Sequence, residues 1–185
     1  ITKNLKNRIK TSLVLFFILF LMLINNYFLG YCMIVIGVFS VIEFIRMILI
    51  IYKKSKVKQL LINLFFITYI FAFCSVLIIF SSFLHLKILF FLILITCIGS
   101  DIGGYIFGKF FKGPKLTKLS PNKTISGAVG SIIFSATIIF FTLYYLTKSF
   151  DPYIIIIGII VSISCQIGDL FFSFLKRKAK IKDTG

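Results

Sequence analysis

Long apolar runs separated by short polar segments divide the chain into candidate membrane spans. A helix needs about 20 mostly apolar residues to cross a bilayer. Six runs have about that length, at residues 12–29, 31–51, 60–84, 86–107, 127–147 and 152–174. None of them alternates apolar and polar side chains as the strands of a membrane barrel do. The pattern predicts an all-α, polytopic integral membrane protein with about six transmembrane helices in a single transmembrane domain, residues 1–185.

Composition and charge support a membrane location and suggest an orientation. Hydrophobic residues make up 59% of the 185 positions, whereas soluble domains are about half apolar. There are 21 Lys and Arg residues against 5 Asp and Glu. Eighteen of the 21 lie in the N-terminal arm, the loops after the second and fourth runs, and the C-terminal tail. The positive-inside rule then places all four segments on the cytoplasmic side of the inner (plasma) membrane. It also explains the charge without a nucleic-acid partner.

Three acidic residues lie within apolar runs. Glu43 shares a helical face with Arg46, three residues later, which favours a structural ion pair. Asp101 and Asp169 lie near the ends expected to face the cytoplasm. A carboxylate inside a span costs about 2.5–3.5 kcal/mol at the helix centre, so such residues indicate function by default. Asp169 belongs to a polar stripe on one helical face, formed by Ser162, Gln166, Asp169, Ser173 and Lys176. Such a stripe lines a wet cavity or contacts polar partners. The shallow position favours an enzyme acting on lipid, because transporters bind near the midplane.

Glycines surround Asp101, and the Gly104-x-x-x-Gly108 spacing lets a second helix approach closely. Ordinary helix packing and access for a ligand explain these glycines equally well. The four cysteines (Cys32, Cys74, Cys97 and Cys165) fall inside apolar runs without a C-x-x-C pair. We expect them to be small buried hydrophobic residues, neither disulfides nor metal ligands.

The loop "KGPKLTKLSPNKTISG" offers groups that bind phosphate oxygens, namely ammonium, hydroxyl and backbone N–H. It contains neither standard nucleotide-binding loop, and alone it would be a surface loop attracted to anionic lipid. However, two acids that can hold a divalent metal and two basic segments meet at the same membrane face. Metal together with Lys and Arg around phosphates is typical of phosphoryl or nucleotidyl transfer.

Several segments resemble the phosphatidate cytidylyltransferases (CDP-diacylglycerol synthases). The tail "SFLKRKAKIKDTG" resembles the signature of that family, whose fixed places are filled by Ser173, Leu175, Lys176, Arg177, Lys182, Asp183 and Gly185. "QIGDLF", "DIGGYIFGKFFKGPKLTKLSPNKTISGAVGS" and "VIEFIRM" resemble further blocks of the family. The resemblance is dense from Gly99 to Gly185 and looser before it.

The resemblance implies CTP-dependent cytidylyl transfer to phosphatidic acid in the lipid bilayer, giving CDP-diacylglycerol and pyrophosphate, with Mg²⁺ as the cofactor. It implies catalytic roles for Asp169, Lys176 and Arg177, with Asp169 as the metal ligand. Asp101 and Gln166 would support the site. The residues implied to bind substrate are Lys109, Ser120, Lys123, Thr124, Ser173, Lys182 and Asp183.

The chain also departs from the family pattern. Ile102 stands where the family often has Thr or Ser, and Ser126 stands where Glu or Gln is common. The family signature continues with a His-Gly-Gly segment and an Asp-Arg-x-Asp cluster, which resemble the second half of the metal site. We therefore expect residues 1–185 to be an incomplete cytidylyltransferase domain that is inactive by itself.

Two alternative functions stay open from the sequence. A CTP-dependent polyprenol or phytol kinase shares parts of the pattern, although the Ser173–Gly185 match argues against it. A transporter or channel could use the Ser162–Lys176 stripe as its path. The sequence also leaves a homodimer open.

Overall fold

Six consecutive helices make up most of the described chain. The computed structural model describes residues 3–117, 120, 123–149 and 151–181, with side chains from residue 10 onward. The helices are α1 (Lys3–Ile24), α2 (Asn26–Ile51), α3 (Lys56–Ser81), α4 (Leu84–Phe111), α5 (Ile125–Thr147) and α6 (Tyr153–Lys178). Helices α2 to α6 are long and apolar enough to span a membrane, and the described apolar part of α1, Lys10–Ile24, is shorter. The prediction of an all-α membrane protein is confirmed.

The break between the first two helices lies five residues earlier than predicted. The apolar run 12–29 was expected to form one helix, but α1 ends at Ile24 and α2 begins at Asn26. The reason is Asn25, whose Oδ1 accepts hydrogen bonds from the backbone N–H groups of Tyr27 (2.9 Å) and Phe28 (3.3 Å). Asn is a preferred N-cap because its short side chain satisfies the free N–H groups of the first turn. The predicted boundary was therefore wrong.

Helices α4 and α6 continue about one turn beyond their apolar runs, to Phe111 and Lys178. Basic side chains occupy the last turns of both helices, where they interact favourably with the negative end of the helix dipole. Helix α6 ends in a Schellman motif. Lys180 has a left-handed φ of 57°, and the N–H groups of Lys180 and Ile181 donate to the carbonyls of Arg177 (3.1 Å) and Lys176 (3.0 Å).

The chain divides into two compact units, Ile1–Ile88 and Leu89–Gly185. In the first unit, α2 packs along α3, and the rings of Phe44 and Phe66 stack with centroids 3.7 Å apart. Lys87 is buried and donates a hydrogen bond to the side chain of Asn26, which supplies a polar partner for an ammonium group in this unit.

In the second unit, glycines bring α4 and α5 into backbone contact. A Cβ added at Gly103 would lie 2.6 Å from the Gly130 carbonyl oxygen, and one added at Gly127 would lie 2.8 Å from the Gly104 carbonyl oxygen. A Cβ at Gly108 would lie 3.0 Å from Thr124 Oγ1. Such an approach is possible only without side chains. The predicted close approach of another helix at Gly104 and Gly108 is confirmed.

Hydroxyl groups join α6 to the other two helices of this unit. Ser135 Oγ on α5 donates to the Gly158 carbonyl of α6 at 2.8 Å. The Oγ atoms of Ser100 on α4 and Ser162 on α6 share a hydrogen bond of 2.9 Å. All three serine side chains are buried, so these bonds replace water in the contacts between helices.

The Ser135 contact should make a small contribution to stability. We expect Ser135→Ala to lower the free energy of unfolding by about 0.6 kcal/mol, the average for hydrogen bonds between membrane helices. Thr137→Ala is the matched control, because the exposed Thr137 hydroxyl bonds only to Ile133 of its own helix in this structure. Thermal unfolding in detergent, followed by circular dichroism, measures both variants. An equal loss in the two variants would contradict the assignment.

Candidate functional site

The loop between α4 and α5 folds back on itself and brings Lys123 to the start of α5. The N–H of Leu116 donates to the Lys123 carbonyl at 2.8 Å, and the N–H of Ile125 donates to the Pro114 carbonyl at 2.9 Å. These bonds flank an isolated antiparallel bridge between Lys115 and Thr124. The backbone of Lys123 is therefore held on both sides.

Thr124 is the N-cap of α5 and fixes the loop to this helix. Its Oγ1 accepts a hydrogen bond from the Gly127 N–H at 3.1 Å, as an N-cap does, and lies 3.1 Å from Ser126 Oγ. Ser126 Oγ also accepts from the Gly113 N–H at 3.3 Å. Ser126, one of the departures from the family pattern, thus joins the two ends of the loop. The positive end of the α5 dipole lies beside Lys123.

Lys123 pairs with Asp169, although 46 positions separate them in the chain. The Lys123 Nζ lies 2.6 Å from Asp169 Oδ2. The side chains are 31% and 57% exposed, respectively, so both can be reached from outside the protein. Because the pair is this exposed, it contributes at most about 1 kcal/mol to stability. The pair matters for the chemistry of the site, because it brings a carboxylate from α6 and an ammonium group from the loop together.

Asp101 joins the pair from α4. Its carboxylate interacts electrostatically with both Asp169 and Lys123. The helical register explains this proximity, since the Sγ atoms of Cys97 and Cys165 are 3.2 Å apart. Asp101 and Asp169 each follow one of these cysteines by four residues, which is one turn along the same face. The two carboxylates therefore lie one turn beyond the thiols on their two helices, within electrostatic range of each other.

A cavity of about 170 Å³ opens beside these charged groups, between α4, α5, α6 and the loop. Four predicted site residues line it, namely Asp101, Lys123, Thr124 and Gln166. The amide nitrogen of Gln166 is occupied by the Ala128 carbonyl (3.3 Å) and Ser162 Oγ (3.2 Å). Sequence reasoning did not include the other six lining residues among the site residues, namely Gly104, Tyr105, Leu116, Gly127, Ala128 and Ser131. A usable signal existed for the three on α5, Gly127, Ala128 and Ser131, since a helix packed on Gly104-x-x-x-Gly108 must itself carry small residues there.

The other predicted site residues are close in sequence to residues that line the cavity, but they are not among the described lining residues. Ser120 lies in the loop, where its carbonyl accepts from the Lys123 N–H at 3.1 Å. Lys109 lies in the last turn of α4, with its ammonium 5.7 Å from the centre of the Tyr105 ring. Ser173, Lys176 and Arg177 follow Asp169 in the last turns of α6. Lys182 and Asp183 lie outside the described residues, and the site assignments as a whole stay predictions.

The carboxylates available here suit a metal ion that binds together with a phosphate-bearing substrate. Within the described residues no group of three or more His, Cys, Asp or Glu could hold an ion. Two carboxylates, Asp101 and Asp169, lie within electrostatic range of each other. Mg²⁺ commonly binds one or two protein carboxylates and takes its remaining oxygens from water and substrate phosphates. Asp101 and Asp169 fit that mode, whereas they do not form a cage made of protein ligands alone.

Comparison with known proteins identifies the family. The model of the cytidylyltransferase family matches residues 2–185. The chain belongs to the cytidylyltransferase family. The family resemblance read from the sequence is thereby confirmed.

Curated relatives of this family member carry a more specific name. The phosphatidate cytidylyltransferases of Mycobacterium leprae, Staphylococcus haemolyticus and Chlamydia muridarum are 34%, 38% and 40% identical to it over 97, 88 and 96 residues. These matches cover 51%, 46% and 48% of this chain. They span about a third of each relative, 31%, 34% and 32% respectively. No solved structure matches the chain.

Proposed function

We propose that the full-length protein transfers a cytidylyl group from CTP to phosphatidic acid, forming CDP-diacylglycerol and releasing pyrophosphate. Family membership and the names of the relatives support this activity. The observation that links this activity to particular residues is the Lys123–Asp169 pair, which lies beside a cavity at the start of α5. An ammonium group, a helix N-terminus and two carboxylates suit a triphosphate together with a divalent cation.

In this proposal the described residues bind and orient the two phosphate-bearing substrates. Lys123 and the first turn of α5 would hold triphosphate oxygens, and Asp101 and Asp169 would hold Mg²⁺. When bound, Mg²⁺ neutralises charge that develops on the phosphate oxygens. Lys123 exchanges Asp169 for a phosphate as the nucleotide enters, which leaves the carboxylate free for the cation. Lys176 and Arg177, in the last turn of α6, counter the charge of the lipid phosphate.

The reaction needs no covalent intermediate with the protein. A phosphate oxygen of phosphatidic acid attacks the α-phosphorus of CTP and forms the new P–O bond. The bond from the α-phosphorus to the bridging oxygen breaks, and pyrophosphate leaves with that oxygen. Catalysis then depends on positioning and on charge stabilisation, as in other phosphate transfers.

The membrane arrangement completes the proposal. Many large apolar side chains on the helices are exposed, for example Phe65 at 75% and Phe71 at 73%, as expected of surfaces that contact lipid tails. By the positive-inside rule, the basic segments lie on the cytoplasmic side of the plasma membrane. The site then faces the cytosolic supply of CTP, while phosphatidic acid reaches it from the inner leaflet.

A transport path along the polar stripe is less well supported than an enzyme site. The outer residue of the stripe, Ser162, is buried and bonded to Ser100, and Gln166 donates to Ser162. These groups satisfy one another in a seam between helices. A channel would instead require them to face water.

The direct test is an assay of the full-length protein in detergent with labelled CTP and phosphatidic acid. We expect CDP-diacylglycerol and pyrophosphate, with no product when a chelator removes divalent cations. Polyprenols and phytol serve as competing acceptors. Phosphorylation of those alcohols without formation of CDP-diacylglycerol would instead identify a kinase.

Removing the Lys123 ammonium should weaken nucleotide binding. We expect Lys123→Met to raise the KM for CTP about 10- to 100-fold, because a charge-assisted hydrogen bond contributes about 1.5–3 kcal/mol. Lys115→Met is the matched control, since Lys115 lies in the same loop and is exposed. Initial rates over a range of CTP concentrations measure both variants. Equal KM values for the two variants would contradict a phosphate contact at Lys123.

A further inference from the structure

Two thiols meet between α4 and α6, one turn from the paired carboxylates. The Sγ atoms of Cys97 and Cys165 are 3.2 Å apart, and both thiols are free and half-buried. The sequence suggested only separate apolar fillers at these positions. We propose that Cys97 and Cys165 form a modification site, a dithiol that oxidises reversibly to a disulfide joining the two helices.

The helices are already placed for this bond. A disulfide has a sulfur–sulfur length of about 2.05 Å, so the two Sγ atoms must approach by only about 1.2 Å. The buried hydrogen bond between Ser100 and Ser162 holds the same two helices. Ser100 lies three residues after Cys97, and Ser162 lies three residues before Cys165, so this bond secures the contact right beside the thiols.

The position of the pair determines which oxidants can reach it. Cys97 is thirteen residues into α4, about 20 Å along the helix axis at 1.5 Å per residue, and therefore deep in the span. Dioxygen dissolves in the bilayer and is the oxidant proposed here. The two thiols lose two protons and two electrons, and one sulfur–sulfur bond forms. Dioxygen takes up these protons and electrons and becomes hydrogen peroxide.

Oxidation would fix the spacing of the carboxylates. Asp101 and Asp169 lie one turn beyond the thiols on the same two helices, so a covalent bond at Cys97 and Cys165 holds them at one separation. A site that must admit a cation between two carboxylates needs some freedom in that separation. Resting on the proposed function, this coupling predicts that the disulfide form transfers cytidylyl groups several-fold more slowly, and that dithiothreitol restores the rate.

The test uses full-length protein in native membranes, with every cysteine except Cys97 and Cys165, including Cys32 and Cys74, replaced by Ala. Copper(II)-phenanthroline in air serves as the membrane-permeant catalyst of oxidation by dioxygen. After denaturation, a maleimide mass tag counts the remaining thiols, and intact mass reports the loss of two hydrogen atoms. We expect both thiols to disappear together within one chain and to return with dithiothreitol. In the same background, Cys165→Ser should leave Cys97 free.

Each result bears on one part of the inference. Thiols that stay free, or that are lost only in cross-linked dimers, would overturn the proposed pair. A disulfide that forms within one chain while turnover stays unchanged would overturn the coupling to the carboxylates. Reduced protein without any cytidylyl transfer would count against the proposed function alone, since the thiol count stands independently of activity.

Discussion

Asp169→Asn should lower kcat/KM for cytidylyl transfer by at least about a hundredfold, the scale of losing one electrostatic contact to a transition state. The substitution keeps the shape of the side chain and removes its charge. Without that charge the site loses one of its two carboxylates for Mg²⁺, and Lys123 loses its partner. Assays of the full-length protein at saturating and limiting CTP, over a range of Mg²⁺ concentrations, measure the loss.

Asp151→Asn is the matched control for this change. Asp151 is exposed before α6, and its Oδ1 accepts a hydrogen bond from the Tyr153 N–H at 3.0 Å, which the Asn carbonyl can equally accept. Asp169→Asn should leave thermal stability nearly unchanged, because an ion pair as exposed as Lys123–Asp169 contributes at most about 1 kcal/mol. Retained activity in Asp169→Asn would remove Asp169 from the reaction, whereas lost activity in a variant that also unfolds would count against our estimate of that pair's stability.

Gly103→Ala should destabilise the second unit by about 1–3 kcal/mol, the usual cost of overpacking a close contact. The added methyl would meet the Gly130 carbonyl oxygen at 2.6 Å and Phe134 Cβ at 2.5 Å. The first of these is a backbone atom, so α4 and α5 must separate. Thermal unfolding in detergent should show a lower midpoint than in the unchanged protein.

Gly168→Ala provides the contrast, because a Cβ at Gly168 of α6 meets nothing within 4 Å. Alanine there should be neutral or stabilising by up to about 1 kcal/mol, from its higher helix propensity. If both alanine variants unfold alike, the glycine contact between α4 and α5 does not determine the stability of this unit.

The fold was largely predictable because hydropathy reports length and composition over a whole helix. Five of the six apolar runs correspond to helices long enough to span a membrane. The mean hydropathy over a helix does not reveal a helix boundary that a single residue determines. Asn25 separates α1 from α2 by capping, and a single polar residue hardly changes the mean over twenty. Attention to the cap preference of Asn would have located this break.

The site was predictable in content and less so in arrangement. Charge asymmetry and the intramembrane acids pointed to Asp101, Asp169 and the basic loop. The direct contact of Lys123 with Asp169 depends on how the loop turns back from Leu116 to Lys123, which no local pattern specifies. Likewise, Ser162 shares a helical face with Asp169, yet it is buried against Ser100. Periodicity gives the face of a helix, and only its neighbours decide what that face meets.

The glycine contact also determines which parts of the second unit can rearrange. Where α4 and α5 touch backbone to backbone, there are few side-chain rotamers to change, so Asp101 keeps its place relative to Thr124. Helix α6, which carries Asp169, touches α5 as closely, because a Cβ added at Gly158 would lie 2.6 Å from Ala136 Cα. Entry and release of a ligand should therefore move the side chains of Lys123 and Asp169 and leave the three helices in place.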